Sequence, residues 1–379
     1  PHTNSNFFWG MPRPDPGWAF YPVALAFRLT PWTMLGGMLG LLALAHRQKR
    51  RKSLVILAGF ALLYLLFMTL GQKKFDRYLL PVFPFVETIA AVGFLDMLKW
   101  LSSRWRVGRK GATSAVLLTL AVLVLSGATV LPHAPYYLTY YNPVCGGAKA
   151  AVRTLLVGWG EGLDKAAAYL NALPGSEQKR ATARALTDFA PFFHGRSYDE
   201  GDYDPATTDY VVMYLNEVQR RLSPALSERY YDVADPLYVA RIKDIDYTWV
   251  YENRTHEAAI QYINEHAAPK TDAIVVSRPS LFTKGYQGAL PVYVLDPEWS
   301  RQEILDALER VNQRADRVWY VRYAEKNPNP MLEWVDFQWR THAFLLGERS
   351  LTDIDLFLWR TDESTHFDDA TDLYREVDV

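Results

Sequence analysis

Gly71-Gln72-Lys73-Lys74-Phe75-Asp76-Arg77-Tyr78-Leu79-Leu80-Pro81 is the stretch on which the fold of this chain turns. Three cations, a carboxylate and a phenol lie between two long apolar runs, 54–70 and 78–98. The runs read as membrane helices, and the charged stretch as the joint where the chain leaves one and enters the next. Charged groups at that depth are costly unless they meet a partner or a ligand. Spacing alone leaves two readings open. The joint is a site for an anion carried by a lipid, such as a phosphate, or it is an ordinary turn whose lysines and arginine snorkel to headgroups.

On the N-terminal side of the joint, residues 1–17 are polar, aromatic and rich in Pro and Gly, which reads as a loop. Its hydrogen-bonding groups are His2, Asn4 and Asn6. Residues 18–29 (WAFYPVALAFRL) begin with aromatics and approach their end at Arg28, as expected of a short helix in the membrane interface. A span starting near Pro31 runs to Ala45; one longer helix kinked at Pro31 gives the same number of crossings. A dense basic turn follows at Arg47, Lys49, Arg50, Arg51 and Lys52. After the span at 78–98 comes a second, at Lys99, Arg104, Arg106, Arg109 and Lys110, and a last span at 115–131 closed by Pro132.

Each basic turn carries five cations, which places both in the cytoplasm. By alternation, residues 1–17, the joint and everything after 132 lie on the opposite face. Glu87 falls inside the third span, roughly 13 Å inward from Tyr78 at the rise of an α-helix. An intramembrane carboxylate is a functional suspect by default; a neutral Glu bonded to a neighbouring helix fits equally well.

The charge balance tells the same story. Residues 1–132 carry fifteen Lys/Arg and four Asp/Glu, a net of +11, and the other residues of the 379 carry a net of −12. Such asymmetry suits a membrane part joined to a water-soluble part. It excludes a nucleic-acid partner, because the cations sit in short turns and form no continuous face. The single cysteine, Cys145, permits no intrachain disulfide and reads as a small filler. The C-terminal histidines at 194, 256, 266 and 342 have no metal-ligand spacing, so neither a metal nor any other cofactor is expected. The chain starts at Pro1, without the basic start and cleavage site of a signal peptide, and reads as a fragment or a processed product.

FFWG at 7–10, DPGWAFYPVALAFRLTPW at 15–32, KKFDRYLLPVFP at 73–84 and YYNPVCGGAKAA…VGWGEGLDKAAAYLN over 140–171 together resemble the C-terminal membrane part of GT-C glycosyltransferases. The likeness is to the bacterial relatives of protein O-mannosyltransferases and lipid A aminoarabinose transferases, and it covers roughly residues 1–175. It implies an integral-membrane enzyme that takes a sugar from a polyprenyl phosphate and passes it, with inversion, to an extracytoplasmic acceptor: a protein, a lipid or a glycan. Lys74, Arg77 and Tyr78 would then bind the donor phosphate, with Lys73, Asp76, Glu87, His2 and Asn4 in support. Asp76 would orient Arg77. In that family the acidic residue that deprotonates the acceptor lies in the first external loop. No stretch here matches that loop, so the base is expected upstream of residue 1 and the fragment is expected to be inactive.

Beyond His133 the pattern changes to helices alternating with strands, which suggests α/β layers on a largely parallel sheet. Helices are expected within 160–172, 216–222 and 300–313, and strands at 181–187, 209–215, 246–251, 273–277 and 292–295. Three segments recur in the same order: AAAYLN (166–171) and AAIQYIN (258–264), TDYVVMY (208–214) and ADRVWYVRY (315–323), KDIDYTWVY (243–251) and TDIDLFLWR (352–360). Recurrence in order argues for duplication. Gly158-Trp159-Gly160-Glu161-Gly162 opens a helix and reads as a turn with an acidic residue, with an anion seat as the other option. The abundant aromatics of this half are expected in cores.

The expected architecture is therefore a multi-pass α-helical membrane region, of about four transmembrane helices plus an interfacial helix, followed by an extracytoplasmic α/β region of two similar lobes. The expected divisions are 1–132, a connector at 133–158, lobes at 159–252 and 253–361, and an acidic tail at 362–379. The alternative function is a non-catalytic, membrane-anchored module whose lobes bind sugar or protein.

Overall fold

The structure, a computed structural model, describes residues 6–46, 48–104, 111–324, 329–362 and 365–368. The chain divides into two compact units. The first holds Pro1–Ala172, Thr187–Phe193 and Val212–Val250, and the second Leu173–Leu186, His194–Val211 and Tyr251–Val379.

A short hairpin, β1 (Asn6–Phe8) and β2 (Met11–Arg13), opens the chain. Helix α1 (Phe20–Arg28) follows, then α2 (Pro31–His46), with a bend of 118° between them. Pro31 has no N–H to continue the first helix and suits the first turn of the second, so the chain breaks there. The short-helix reading of residues 18–29 therefore holds over the kinked one. Helix α3 (Gln48–Thr69) leads to the joint, which closes in a 3-10 turn at Asp76–Val82 and runs into α4 (Phe83–Arg104). Helix α5 (Gly111–Val130) completes the group. Arg51–Thr69, Asp76–Leu101 and Val116–His133 are each long and apolar enough to cross a membrane, and the bent pair of α1 and α2 makes a fourth if taken as one span.

Helices α2 and α4 approach through glycine. A Cβ on Gly93 would lie 2.2 Å from the Gly36 carbonyl oxygen and 2.4 Å from the Gly40 nitrogen. Gly36 and Gly40 are one turn apart on α2, the small-xxx-small spacing by which apolar helices bring their backbones together.

Two elements tie the end of α1 to the chain beyond the last span. Asn142 donates from its side chain to Ala26 O (3.0 Å) and from its backbone to Phe27 O (2.8 Å). Arg28 donates to Leu138 O (2.6 Å) and Tyr140 O (3.0 Å). Helix α6 (Gly147–Thr154) then reaches the hairpin, where Trp9 N donates to Thr154 O (3.0 Å).

The C-terminal half runs α7 (Leu163–Asn171), β3 (Arg180–Ala183), α8 (Leu186–Phe189), β4 (Arg196–Tyr198), β5 (Tyr210–Tyr214), α9 (Leu215–Arg220), α10 (Pro224–Tyr230), β6 (Tyr238–Ile242) and β7 (Ile245–Glu252). It continues through α11 (Thr255–His266), β8 (Asp272–Val276), α12 (Leu281–Gly285), β9 (Val292–Val294), α13 (Arg301–Asn312), β10 (Arg317–Tyr323), α14 (Pro330–His342), β11 (Phe344–Ser350) and β12 (Ile354–Arg360). The strands form two five-stranded sheets, β4-β3-β5-β7-β6 and β9-β8-β10-β12-β11. Counted from its own first strand, each has the order 2-1-3-5-4. The three recurring segments are the helix before the first strand, the central strand and the fourth position of each sheet. The duplication is thus wider than those segments, since β8 and β9 take the places of β3 and β4.

The largely parallel sheet expected from the alternation is corrected: both sheets are mixed. β8 pairs in parallel with β9 and β10, but β12 is antiparallel to β10 and β11, and β6 to β7. Only two residues separate β6 from β7, and a link that short joins antiparallel neighbours alone. In the second sheet both faces are covered. Val275, Val318 and Tyr320 pack with Ile304, Leu308, Val335 and Trp339 on one side. Ile274, Val276 and Val321 pack with Ala259, Ile263 and Phe282 on the other.

Candidate functional site

The joint is held from below by two ion pairs that sequence reasoning did not foresee. Asp76 accepts from Arg28 Nε (2.8 Å) and Nη2 (2.5 Å), and both side chains are nearly buried. The same guanidinium reaches the Tyr141 hydroxyl (3.2 Å) and lies 4.3 Å from the centre of its ring. Asp76 therefore does not orient Arg77; its charge is consumed by Arg28.

Lys74 is likewise drawn inward. It is 1% exposed, and its Nζ donates to Asp15 Oδ1 (2.5 Å) and to Gly71 O (2.5 Å). The hydrogen bond from Lys74, then that from Gly17 N, holds the Asp15 carboxyl below its ordinary range. The Lys74 backbone donates to Asn6 Oδ1 (3.3 Å), while the Asn6 amide donates to Gln72 O (3.2 Å). Lys74 is thus corrected from a phosphate ligand to a buried strut between the first loop and the joint. An ammonium with protein acceptors and no solvent has little left to offer a lipid.

Arg77 is placed differently. It is exposed, and no hydrogen bond or ion pair engages it among the described residues. Its guanidinium carbon lies 4.9 Å from the Phe75 ring centre, 5.5 Å from Tyr78 and 4.7 Å from Trp159. Phe75 meets Trp159 edge-on at 5.6 Å and Tyr78 at 5.8 Å. The three rings lie within cation–π range of the guanidinium, and no side-chain acceptor among the described residues takes its N–H groups. Lys73 is exposed beside it, and Tyr78 is half-buried. Glu87 stands apart from this group: it accepts from Thr33 Oγ1 of α2 at 3.1 and 3.2 Å, so it bridges two helices. His2 and Asn4 lie outside the described residues.

Trp159 comes from the glycine-rich turn before α7. Glu161 Oε2 accepts from Trp159 N (2.6 Å) and from the Tyr214 hydroxyl (3.2 Å), and that hydroxyl accepts from Gly160 N (2.7 Å). The stretch is thus a turn with an acidic residue, and its amides bind this chain's own side chains. Around it lies a layer of buried phenols, Tyr141, Tyr214 and Tyr247. Burial above all pushes each of them well up from the ordinary phenol value. Arg28, Trp159, Glu161 and Tyr214 are the members of this site that the sequence did not single out for it. Trp159 and Glu161 shared a signal in the GWGEG turn; the roles of Arg28 and Tyr214 are recognisable only once the chain is folded.

Comparison with protein-family models, with curated proteins and with solved structures found no match. Within the chain, no group of three or more His, Cys, Asp or Glu among the described residues is placed to hold a metal ion. The second unit carries a separate cleft of about 450 Å³, lined in part by Lys179, Asp209, Glu252, Asn253 and His256. Lys179 and Asp209 are paired there at 2.9 Å, and burial lowers the His256 pKa from its ordinary value.

Proposed function

We propose that the chain belongs to an integral-membrane glycosyltransferase of the GT-C kind. It would take a sugar from a polyprenyl phosphate and deliver it to an acceptor on the non-cytoplasmic face. The supporting observation is Arg77: an exposed guanidinium with no counter-ion among the described residues, lying against Phe75 and Trp159 at the end of an apolar helix. A guanidinium in that state is a receptor for an anion with two free oxygens, as on the phosphate diester of the donor and on the monoester that leaves.

In this reading the anomeric carbon–oxygen bond breaks as the acceptor oxygen attacks from the opposite face. The bonding pair goes to the phosphate oxygen, and the charge that develops there is met by the fixed N–H edge of Arg77. Lys73 adds a point charge, and the Tyr78 hydroxyl is a further donor to phosphate or sugar. Asp76 and Lys74 keep the joint in shape instead of touching the donor. The base that takes the acceptor proton is not assigned to any residue here.

The orientation rests on the two basic turns, which by the positive-inside rule put the joint and the lobes on the same, outer face. The contacts of Asn6 with Gln72 and of Arg28 with Asp76, Leu138 and Tyr140 are in keeping with it, because they gather the first loop, the joint and the post-helix segment together. The test is transfer from labelled polyprenyl-phosphate sugars by the full polypeptide in nanodiscs. Arg77→Ala should reduce turnover by at least a hundredfold while insertion and folding persist; wild-type turnover in that variant removes the phosphate role. The polar cleft of the second unit favours a second reading, a membrane-anchored sugar- or protein-binding module. Saccharide binding that survives Arg77→Ala, with no transfer by the wild type, would support it.

A further inference from the structure

The GWGEG turn is pinned more thoroughly than a connector requires. Val157 N donates to the Gln219 side chain (2.8 Å), Gly158 O accepts from Asn216 (2.9 Å), Trp159 N donates to Glu161 and Gly160 N to Tyr214. Gln219 also donates to Val152 O (2.7 Å) and Leu155 O (3.0 Å). All the fastening side chains except Glu161 stand on the end of the central strand β5 or on α9 directly after it. That is the carboxyl edge of the sheet where the strand order reverses, the place where α/β folds present their functional groups. Gly158 makes the fastening possible: its φ is +104°, and a Cβ there would lie 2.6 Å from the Tyr214 hydroxyl. Burial, then the neighbouring Glu161 charge, keeps the Tyr214 phenol protonated, so its proton is available to the carboxylate.

The second sheet offers an internal comparison. Its central strand also ends in a tyrosine, Tyr323, whose hydroxyl also accepts a backbone N–H, from Phe282 at 3.2 Å. The tyrosine is thus common to both copies. What the first copy adds is a carboxylate that locks the turn, and an indole that the locked turn sets against Arg77.

We propose that Trp159 is a positioning residue for Arg77, and that the turn fixed by Glu161 and Tyr214 is the part of the first lobe that completes the anion site at the membrane joint. Within the joint itself, the guanidinium has the rings of Phe75 and Tyr78, and Trp159 adds a third from outside it. With Trp159 4.7 Å away, the cation loses its freedom to swing into solvent and meets the phosphate with its edge already aimed. The lobe is then a wall of the donor site and not a passenger on it. The proposal rests on the phosphate role of Arg77, and the following measurement separates the two.

The full polypeptide in nanodiscs is titrated with a twenty-carbon polyprenyl phosphate, with the corresponding alcohol as control. Trp159→Phe, which keeps an aromatic face, should bind within about threefold of wild type. Trp159→Leu, which keeps apolar bulk, should bind about tenfold more weakly, the scale of a partly desolvated cation–π contact. In an Arg77→Ala background Trp159→Leu should cause no further loss. Equal affinity of Trp159→Leu and wild type, with Arg77→Ala still weak, overturns the positioning role and leaves the phosphate role standing. An equal loss in the Arg77→Ala background shows a general defect of the lobe and also overturns it. Wild-type binding no tighter to the phosphate than to the alcohol removes both.

Discussion

Removing Asp76 or Arg28 should damage the joint to unequal degrees, and the inequality can be worked from their partners. Asp76→Asn leaves Arg28 with Leu138 O, Tyr140 O and the Tyr141 hydroxyl, but strips its charge of a partner in a nearly buried place. Breaking such a pair from one side costs about 3 kcal/mol. Arg28→Leu takes the donor from four acceptors at once: the Asp76 carboxylate, two carbonyls and a phenol. The stranded carboxylate contributes about 3 kcal/mol, and each of the two carbonyls adds about 1 kcal/mol more unless water reaches it. The double variant Arg28→Leu/Asp76→Leu removes the stranded charge and should recover part of that loss. The assay is the thermal midpoint of the purified protein by size-exclusion after heating, with wild type the most stable, Arg28→Leu the least, and Asp76→Asn and the double variant between them. Asp76→Asn as stable as wild type, or a double variant worse than Arg28→Leu, would refute the structural role of the pair.

Lys74→Met should leave donor affinity within about threefold of wild type, since the Lys74 ammonium is buried against Asp15 and Gly71 O and does not meet the donor, whereas Arg77→Met should lower it far more; titration with polyprenyl phosphate checks both. Gly93→Leu should separate α2 from α4 and reduce the yield of folded protein in detergent, because its side chain has no space between the two backbones. In the second unit, burial pulls the Asp272 carboxyl up, but hydrogen bonds from Arg317, Ala268 N, Trp319 and Thr271 outweigh it and hold the pKa below its ordinary value. The stability it supplies is therefore present above pH ~4 and lost as pH falls through the lowered value. Asp272→Asn should cost several degrees of thermal midpoint at pH 7 and less at pH 3; an equal cost at both pH values would contradict the assignment.

What could be read from the sequence was what neighbours in the chain decide. Long apolar runs marked α3, α4 and α5, Pro31 marked the break after α1, and the apolar run YVVMY marked β5. Three similar segments in the same order pointed to two similar sheets. The parallel character went wrong because alternation of helices and strands says nothing of the hairpins that end each sheet. The site was less legible. Lys73, Lys74, Asp76 and Arg77 look alike as a run of charges, and what separates their roles lies far away in sequence. Asp15 is 59 residues from Lys74, Arg28 is 48 from Asp76, and Tyr214 is 53 from Glu161. No local pattern announces such pairings, yet they decide which cation is left over to meet a ligand.

Whether the joint faces away from the cytoplasm is decided most directly by labelling Lys73→Cys, at an exposed position next to Arg77, in a background where Cys145 is serine. Right-side-out membrane vesicles are treated with a membrane-impermeant maleimide before and after the membrane is opened. Full labelling in sealed vesicles is the expected result. Labelling only after opening would put the joint on the cytoplasmic side and contradict the donor site proposed for it.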